Sequence, residues 1–356
     1  MIPILYSETE TDFTANGLGS LIDCVSCKCT EKLNDGYEID LEIPYFGKHV
    51  DKISTDRVIK VRSNYEDPPQ LFRIYSISKK YDGNISVKAA HISYDTVGIP
   101  ILPFTAQNLT EAVENMNTNR KLLTPSAFVL NCNFSAEGTL EVTSPTPFRS
   151  LLGGSDDSII EVYGGDYHYD NFTINLVEKR GHNRGLCFRY GKNILDFEDE
   201  VSSEELYSAV LGYWKRTSSS SSSFVYGNII QCEGTFPYDK IYILEVSNGD
   251  LNISGSSTPT EEQIDEYVQK YISEKEVGIP KHTMTIDYRD DNNIINVCLG
   301  DIVGVSYPQY NISTLARCNT VVFDCLNERN ESIEIGVESK DISDSIVELL
   351  NKKEGN

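Results

Sequence analysis

The sequence predicts a mainly β protein with α+β insertions. Three observations carry this: apolar and polar residues alternate in short runs, turn residues separate the runs, and few windows keep a helical period. At 356 residues the chain exceeds one ordinary core and should divide into two to four domains.

After a short strand around Ile4 to Tyr6, Asn16 to Gly19 turns the chain into Ser20 to Thr30, and Asn34-Asp35-Gly36 turns it again. Tyr37, Ile39, Leu41 and Ile43 then alternate with Glu38, Asp40 and Glu42, giving one buried face and one wet, acidic face. Arg57 to Val61, Gln70 to Ser78 and Asn84 to Ala90 continue the pattern, with Asp82-Gly83 as a tight turn. Such a series suggests a small barrel or sandwich.

From Thr105 to Asn117 the period becomes helical, with Leu109, Ala112, Val113 and Met116 on one stripe. A second short helix is expected from Pro147, carrying Phe148, Leu151 and Leu152 and stopped by Gly153-Gly154. Tyr163 to Asn193 reads as a structural connector and a long β-hairpin. Gly164-Gly165 opens it, Tyr167, Tyr169, Phe172 and Ile174 form strand, and Arg180 to Gly185 supplies the reversal.

Leu206 to Trp214, Phe224 to Cys232 and Lys240 to Val246 read as strands around a serine run, Thr217 to Ser223, expected to be a mobile loop. Thr258 to Glu261 has capping-box spacing with Pro259 at the first helical position; Ile264, Tyr267, Val268, Tyr271 and Ile272 make its stripe. Asp341 to Leu350 reads as a short amphipathic helix. The two ends resemble each other weakly. Asp56 to Val61 precedes Arg73 and Ile85 to Val87, as Asp301 to Val305 precedes Arg317 and Ile333 to Ile335, with seventeen and sixteen residues from Asp to Arg. A common turn-and-strand arrangement and a true duplication both account for this.

Three stretches resemble one family: the connector, GGDYHYDNFTINLVEKRGHNRGLCFRYGKN; Leu71 to Asp95; and Asn296 to Pro308. They are similar to the N-terminal hub region of siphophage and prophage tail-tip proteins of the prophage tail endopeptidase, or tail-associated lysin, family. The resemblance implies a phage tail hub-like fold with two small similar β-barrel domains plus two α+β domains. The expected divisions are 1–100 for the first barrel and 101–185 for an α+β domain ending in the long hairpin. Residues 186–205 with 283–340 make the second barrel, 206–282 an α+β insertion, and 341–356 a C-terminal helix. It also implies a homotrimer whose six barrels match a hexameric tail tube, with a distal tail protein and a tape measure protein as partners.

The balance of 31 basic and 54 acidic side chains, a net charge of −23, opposes sequence-independent nucleic-acid binding, so DNA would pass without being bound specifically. Neither a signal peptide nor a bilayer-crossing segment is expected, and so no stable membrane anchor; synthesis in a bacterial cytoplasm and location at a virion tail tip follow from the resemblance. Nine scattered cysteines read as reduced thiols.

Cys24, Cys27 and Cys29 have the spacing of zinc ligands but no second pair, so buried strand thiols are expected, with Val25, Cys27 and Cys29 on one side. Asp166, His168 and Asp170 share a strand face that could hold a cation; the plainer expectation is a solvated face opposite the aromatics. Cys187 and His282 could pair as nucleophile and base, but Cys187 lies in an apolar strand and reads as structural. Lys179, Arg180, His182, Arg184, Arg189 and Lys192 form a basic cluster that could dock an acidic neighbour or be solvated turn charges. Hydrolase and phosphate-binding motifs are absent, so no catalytic, cofactor-binding or metal residue is assigned. The expected role is a structural hub closing the tail tube and opening as a DNA conduit. A peptidoglycan endopeptidase, or a receptor-binding tip contacting the host cell wall through some of the 21 tyrosines, is the alternative.

Overall fold

The computed structural model describes residues 1–154, 158–203, 206–217, 222–234, 236, 238–251, 253, 257–279, 281–288, 296–310 and 312–336. Most of the serine run and the expected helix from Asp341 to Leu350 lie outside the described residues.

The alternation in Tyr37–Pro44 becomes a strand whose Tyr37, Ile39, Leu41 and Ile43 are buried, with Ser26–Lys32 on one edge and Asn84–His91 on the other. These belong to a 13-stranded sheet. Its path runs Ile194–Ser202, Lys281–Tyr288, Arg329–Gly336, Ile312–Asp324, Ser26–Lys32, Tyr37–Pro44, Asn84–His91, Gln70–Lys79, Val58–Val61, Ile4–Tyr6, Gly19–Ser20. Ile302–Tyr307 joins the side of Ile312–Asp324, and Asn183–Arg189 joins Ile302–Tyr307. The two separately closed barrels that were expected do not emerge: among the described residues no pairing closes either half. The edge of one half is instead taken by the other, with Thr320 opposite Lys32 through to Asp324 opposite Lys28.

The same pairing pattern is drawn twice. Val58 faces Arg73 as Ile302 faces Arg317, and Arg73 faces Ala90 as Arg317 faces Gly336. The register slips between Ile74 and Ser76 in one set and between Cys318 and Thr320 in the other. Further out, Cys29 faces Ile39 as Asp199 faces Met284. Entry to the pattern is also shared. Asp56, at φ 69°, donates its N–H to Ile74 O at 2.8 Å, and Gly300, at φ 86°, donates to Cys318 O at 2.8 Å. The Arg73 guanidinium donates to Asp56 O at 2.5 Å and that of Arg317 to Gly300 O at 3.4 Å, each 17 residues along the chain. Asp56 therefore corresponds to Gly300, one residue before the Asp301 suggested by sequence. What the two sets share is a left-handed backbone turn, and a carboxylate is not needed to make it.

Ser26–Lys32 and Tyr37–Pro44 are joined by a short turn, whereas residues 203–280 separate their counterparts Ile194–Ser202 and Lys281–Tyr288. That segment carries a three-stranded sheet of Ala209–Thr217, Ser222–Gln231 and Ile241–Glu245, with the helix Glu261–Glu274 across one face. Val210, Trp214, Val246, Ile264 and Val268 form a core of their own. A Cβ at Gly212 would come within 2.5 Å of the Val268 side chain, so glycine is what lets the helix lie so close. The cap sits two residues later than its sequence signal: Thr260 Oγ1 accepts from Gln263 N at 3.3 Å, and Gln263 Oε1 accepts from Thr260 N at 3.0 Å.

Between the two sets, the helix Leu109–Thr118 forms on its expected stripe, capped by Asn108, and Phe148–Leu152 forms after Pro147. A short helix, Ile159–Tyr163, was not legible in the sequence. The long hairpin is replaced by a tight one. Asp166–Asp170 pairs with Thr173–Val177 across a turn in which Asn171 has φ 51°. Asn183–Arg189 then runs parallel to Ile302–Tyr307.

Since Ser202 lies opposite Lys281, replacing residues 203–280 by an Asn-Gly turn should leave a soluble protein that unfolds cooperatively, within about 2 kcal/mol of the parent. Urea unfolding checks this, and an aggregated product would show that the large sheet needs the insertion.

Candidate functional site

The chain reaches the second set of strands through Lys179 to His182, and there two glycines meet backbone to backbone. A Cβ on Gly181, at φ 80°, would lie 2.0 Å from the carbonyl carbon of Gly300, and one on Gly300 would lie 2.5 Å from Arg180 O. No other residue type permits this approach at either position. It aligns a polar lock around it. Asp301, fully buried, accepts from His182 N at 2.8 Å and Cys298 N at 2.9 Å, and forms an ion pair with Arg184, whose Nε lies 3.3 Å from its carboxylate. Asp166 accepts from Arg180 N at 2.6 Å and from the Arg317 guanidinium, which also donates to Arg180 O at 3.1 Å.

The first set of strands is tied to the same place. Arg180 Nη1 donates to Glu31 Oε1 at 2.8 Å, with side-chain exposures of 10% and 5%. Asn34, in the turn after Ser26–Lys32, accepts from Tyr167 N at 2.8 Å and donates to Gly165 O at 3.1 Å. Gln70 Oε1 accepts from Asn171 N at 2.7 Å and pairs with His91 Nε2 at 3.1 Å, while its amide donates to Asp170 Oδ1 at 3.2 Å. The three stretches that carry the family resemblance therefore converge here.

His91 is fully buried, stacked on Tyr37 at 4.6 Å between ring centroids. Its Nδ1 accepts from Ser93 N at 3.2 Å, which leaves Nε2–H to donate to Gln70. Burial, with Arg149 nearby, lowers its pKa to about 3, so it is neutral at ordinary pH. His168 Nε2 meets Asp67 Oδ1 at 2.8 Å. That hydrogen bond raises the His168 pKa against its burial. Burial pushes Asp67 up, but His168 outweighs it and holds the carboxyl below its ordinary value.

The sequence candidates fall into place differently from one another. The face bearing Asp166, His168 and Asp170 is not solvated: all three are spent on Arg317, Asp67 and Gln70, while Tyr167 and Tyr169 are buried opposite. The basic cluster divides. Arg180 and Arg184 are bound within the chain, Arg184 also to Glu66, whereas Lys179, His182, Arg189 and Lys192 are exposed. Cys27 and Cys29 are buried in Ser26–Lys32 beside Cys325, whose N–H donates to Cys27 O at 2.9 Å, but Val25 is exposed. Burial raises Cys24 to about 12, a thiol rather than a thiolate. Among the described residues no group of three or more His, Cys, Asp or Glu is placed to hold a metal ion. Cys187 is exposed rather than enclosed, on a strand not adjacent to the one carrying His282. The side chain of His282 lies outside the described residues.

Glu31, Asn34, Gln70 and His91 were not singled out from sequence. Glu31 did carry a signal, because it follows Cys27 and Cys29 at alternate positions and so points a carboxylate into the core, where it needs a cation. A partly exposed aromatic stack lies elsewhere, where Tyr307 meets Tyr190 at 4.5 Å, Phe197 at 4.9 Å and Tyr310 at 4.9 Å. No helix among the described residues is long and apolar enough to cross a membrane.

No protein-family model matches the sequence, and no curated protein matches it. Solved structures share the fold. A prophage tail protein of Listeria monocytogenes EGD-e is 15% identical and superposes with a TM-score of 0.58 over 100% of both chains. A tail protein of Neisseria meningitidis MC58 is 10% identical, with a TM-score of 0.59 over 95% of this chain and 96% of that one. The 43 kDa tail protein of prophage MuSo2 from Shewanella oneidensis is 12% identical, with a TM-score of 0.59 over 94% and 98%. The chain thus has the fold of prophage tail proteins along its whole length.

Two expectations follow from the lock. Truncating Glu31 or Arg180 alone leaves a buried charge unpaired and should cost about 3–5 kcal/mol in urea unfolding, whereas E31L/R180M should cost less than the sum of the two. Additive losses would refute the coupling. The second concerns pH. His168, raised above 6.5, stabilises the fold below that pH and loses its contribution as pH rises through its folded value. Asp67, lowered below 3.8, contributes above that pH and is lost as pH falls through its folded value. His91, lowered to about 3, contributes fully above 6.5 and loses it as pH falls toward 3. Stability should therefore peak near neutrality, and H168N should flatten the alkaline limb and, by leaving Asp67 to the upward push of burial, alter the acid limb as well. Unfolding measured from pH 4 to 9 checks this; an unchanged alkaline limb in H168N would rule it out.

Proposed function

We propose that this chain is a structural hub of a phage or prophage tail tip, closing the tail tube and forming a DNA conduit on infection. The observation that carries the reading is the twice-drawn strand pattern within one sheet, on a fold shared end to end with prophage tail proteins. Each chain offers two near-equivalent units, so three chains would present six, the count that a hexameric tube requires. In this reading residues 1–100 form one tube-facing domain, 186–205 with 283–340 the other, and the connector holds them at a fixed angle. The distal tail protein above and the tape measure protein within the tube are its partners. The acidic balance suits a channel that must release DNA, because excess carboxylates leave phosphates few cations to bind.

The role is mechanical, and nothing gathered at the lock is arranged as nucleophile and base. The aromatic stack in which exposed Tyr190 and Tyr310 flank half-buried Tyr307 favours a second reading, contact with a cell-wall saccharide. Light scattering over a wide concentration range should give three times the 39.9 kDa chain mass, and negative-stain images should show a ring. A dimer would overturn the hub; digestion of purified cell wall by the intact chain would move the assignment to a tail lysin.

A further inference from the structure

The three-stranded sheet of the insertion has one covered face and one bare one. Val210, Gly212 and Trp214 turn toward the helix Glu261–Glu274, so Leu211, Tyr213 and Lys215 turn away from it. Pairing sets Leu211 between Ile229 and Ile243, and Ile241, two residues before Ile243, extends the row toward Ala209. The three isoleucines are exposed and Leu211 is half-buried. Further along the same face the surface turns amphipathic: the Tyr213 hydroxyl donates to Glu245, and Lys215 lies over the Phe224 ring. A contiguous aliphatic patch on a chain of net charge −23 marks a surface that something covers.

The chain brings an occupant to the right place. Gly336, where the described chain stops, lies opposite Thr283, and Lys281, two residues before Thr283, lies opposite Ser202. Residues 337 onward therefore start beside the two strands through which the chain enters and leaves the insertion. The aliphatic patch lies at the end of the small sheet nearest those strands, where Ala209 faces Ile241 and Ser208 N donates to Lys240 O at 2.9 Å. From Gly336 to Ile342 an extended chain reaches about 20 Å. Beyond it, Ile342, Ile346, Val347 and Leu350 fall on one stripe of helical period, with Asp341 and Asp344 toward one end and Lys352 and Lys353 at the other, the polarity that a helix dipole favours. Ten helical residues measure about 15 Å, and three strands span about 10–15 Å.

We infer that residues 341–350 dock as an amphipathic helix on Ile229, Leu211, Ile243 and Ile241 of their own chain. The insertion is then a sheet held between two helices, with both faces covered. Tethering places this occupant at about millimolar effective concentration, which favours it over a second copy or a free protein competing for the same face. The inference goes beyond the hub reading and stands whether or not that reading does.

Trp214 is the chain's single tryptophan and sits in the insertion's core, so its fluorescence reports on this unit. In urea unfolding of the full chain, I346D/L350D and I243D should each lower the midpoint of that signal by about 1 M, and the three substitutions together by little more than either. Ile243 is 65% exposed when the patch is bare, so a bare face would tolerate I243D. An unmoved midpoint in I243D, or additive shifts, would overturn the docking. Proximity is read separately: I243C/I346C in a C187S background, treated with a short bismaleimide, should give a link between positions 243 and 346 in peptide maps, on a band of single-chain mass. A link between chains would assign the face to a second copy, and no link would remove this segment from it; either result refutes the inference.

Discussion

Everything in the molecule hangs on one strand that pairs with three others. Ile312–Asp324 meets Ile302–Tyr307 along its first half, and along its second half Arg329–Gly336 on one edge and Ser26–Lys32 on the other. Backbone hydrogen bonds between the halves do what side-chain packing alone does poorly. They fix relative register as well as proximity, because a slip of one residue would turn Phe323 and Val321 out of the core. The halves therefore behave as one body rather than two modules on a hinge.

The polar lock around Gly181 and Gly300 defends that arrangement from the side. Buried ion pairs add little net stability, since desolvation offsets most of the attraction, yet they penalise any packing in which a partner is missing. Glu31, Arg317 and the connector that bears both Asp166 and Arg180 come from three separate stretches of chain, and at least one charge is left buried and unpaired unless all three arrive. The arrangement thus selects one geometry more than it deepens one well.

How much of this the sequence disclosed depends on whether the signal was local. The alternation in Tyr37–Pro44, the stripe of Leu109–Thr118 and the stripe of Glu261–Glu274 were legible because period alone fixes a face. The connector's glycines marked a reversal, but nothing local says that Asn183–Arg189 will lie parallel to Ile302–Tyr307 instead of folding back on Thr173–Val177. Partner choice is a long-range property, and for the same reason the basic cluster could not be divided into buried Arg180 and exposed Lys192. The internal repeat was visible one residue out of step. Asp56 and Gly300 share a dihedral angle and not a side chain, and a dihedral angle is not written in the alphabet being compared.

The pairing of Ser26–Lys32 with Thr320 to Asp324 also has a consequence for biosynthesis. A ribosome adding about 5–20 residues per second needs roughly 15–60 s between finishing the first of these strands and finishing the second. Throughout that interval the nascent first half holds an open edge carrying Cys27 and Cys29, and the chain can satisfy it only by waiting. The protein's yield in a cell should then depend on whatever shields that edge during translation as much as on the stability of the finished sheet.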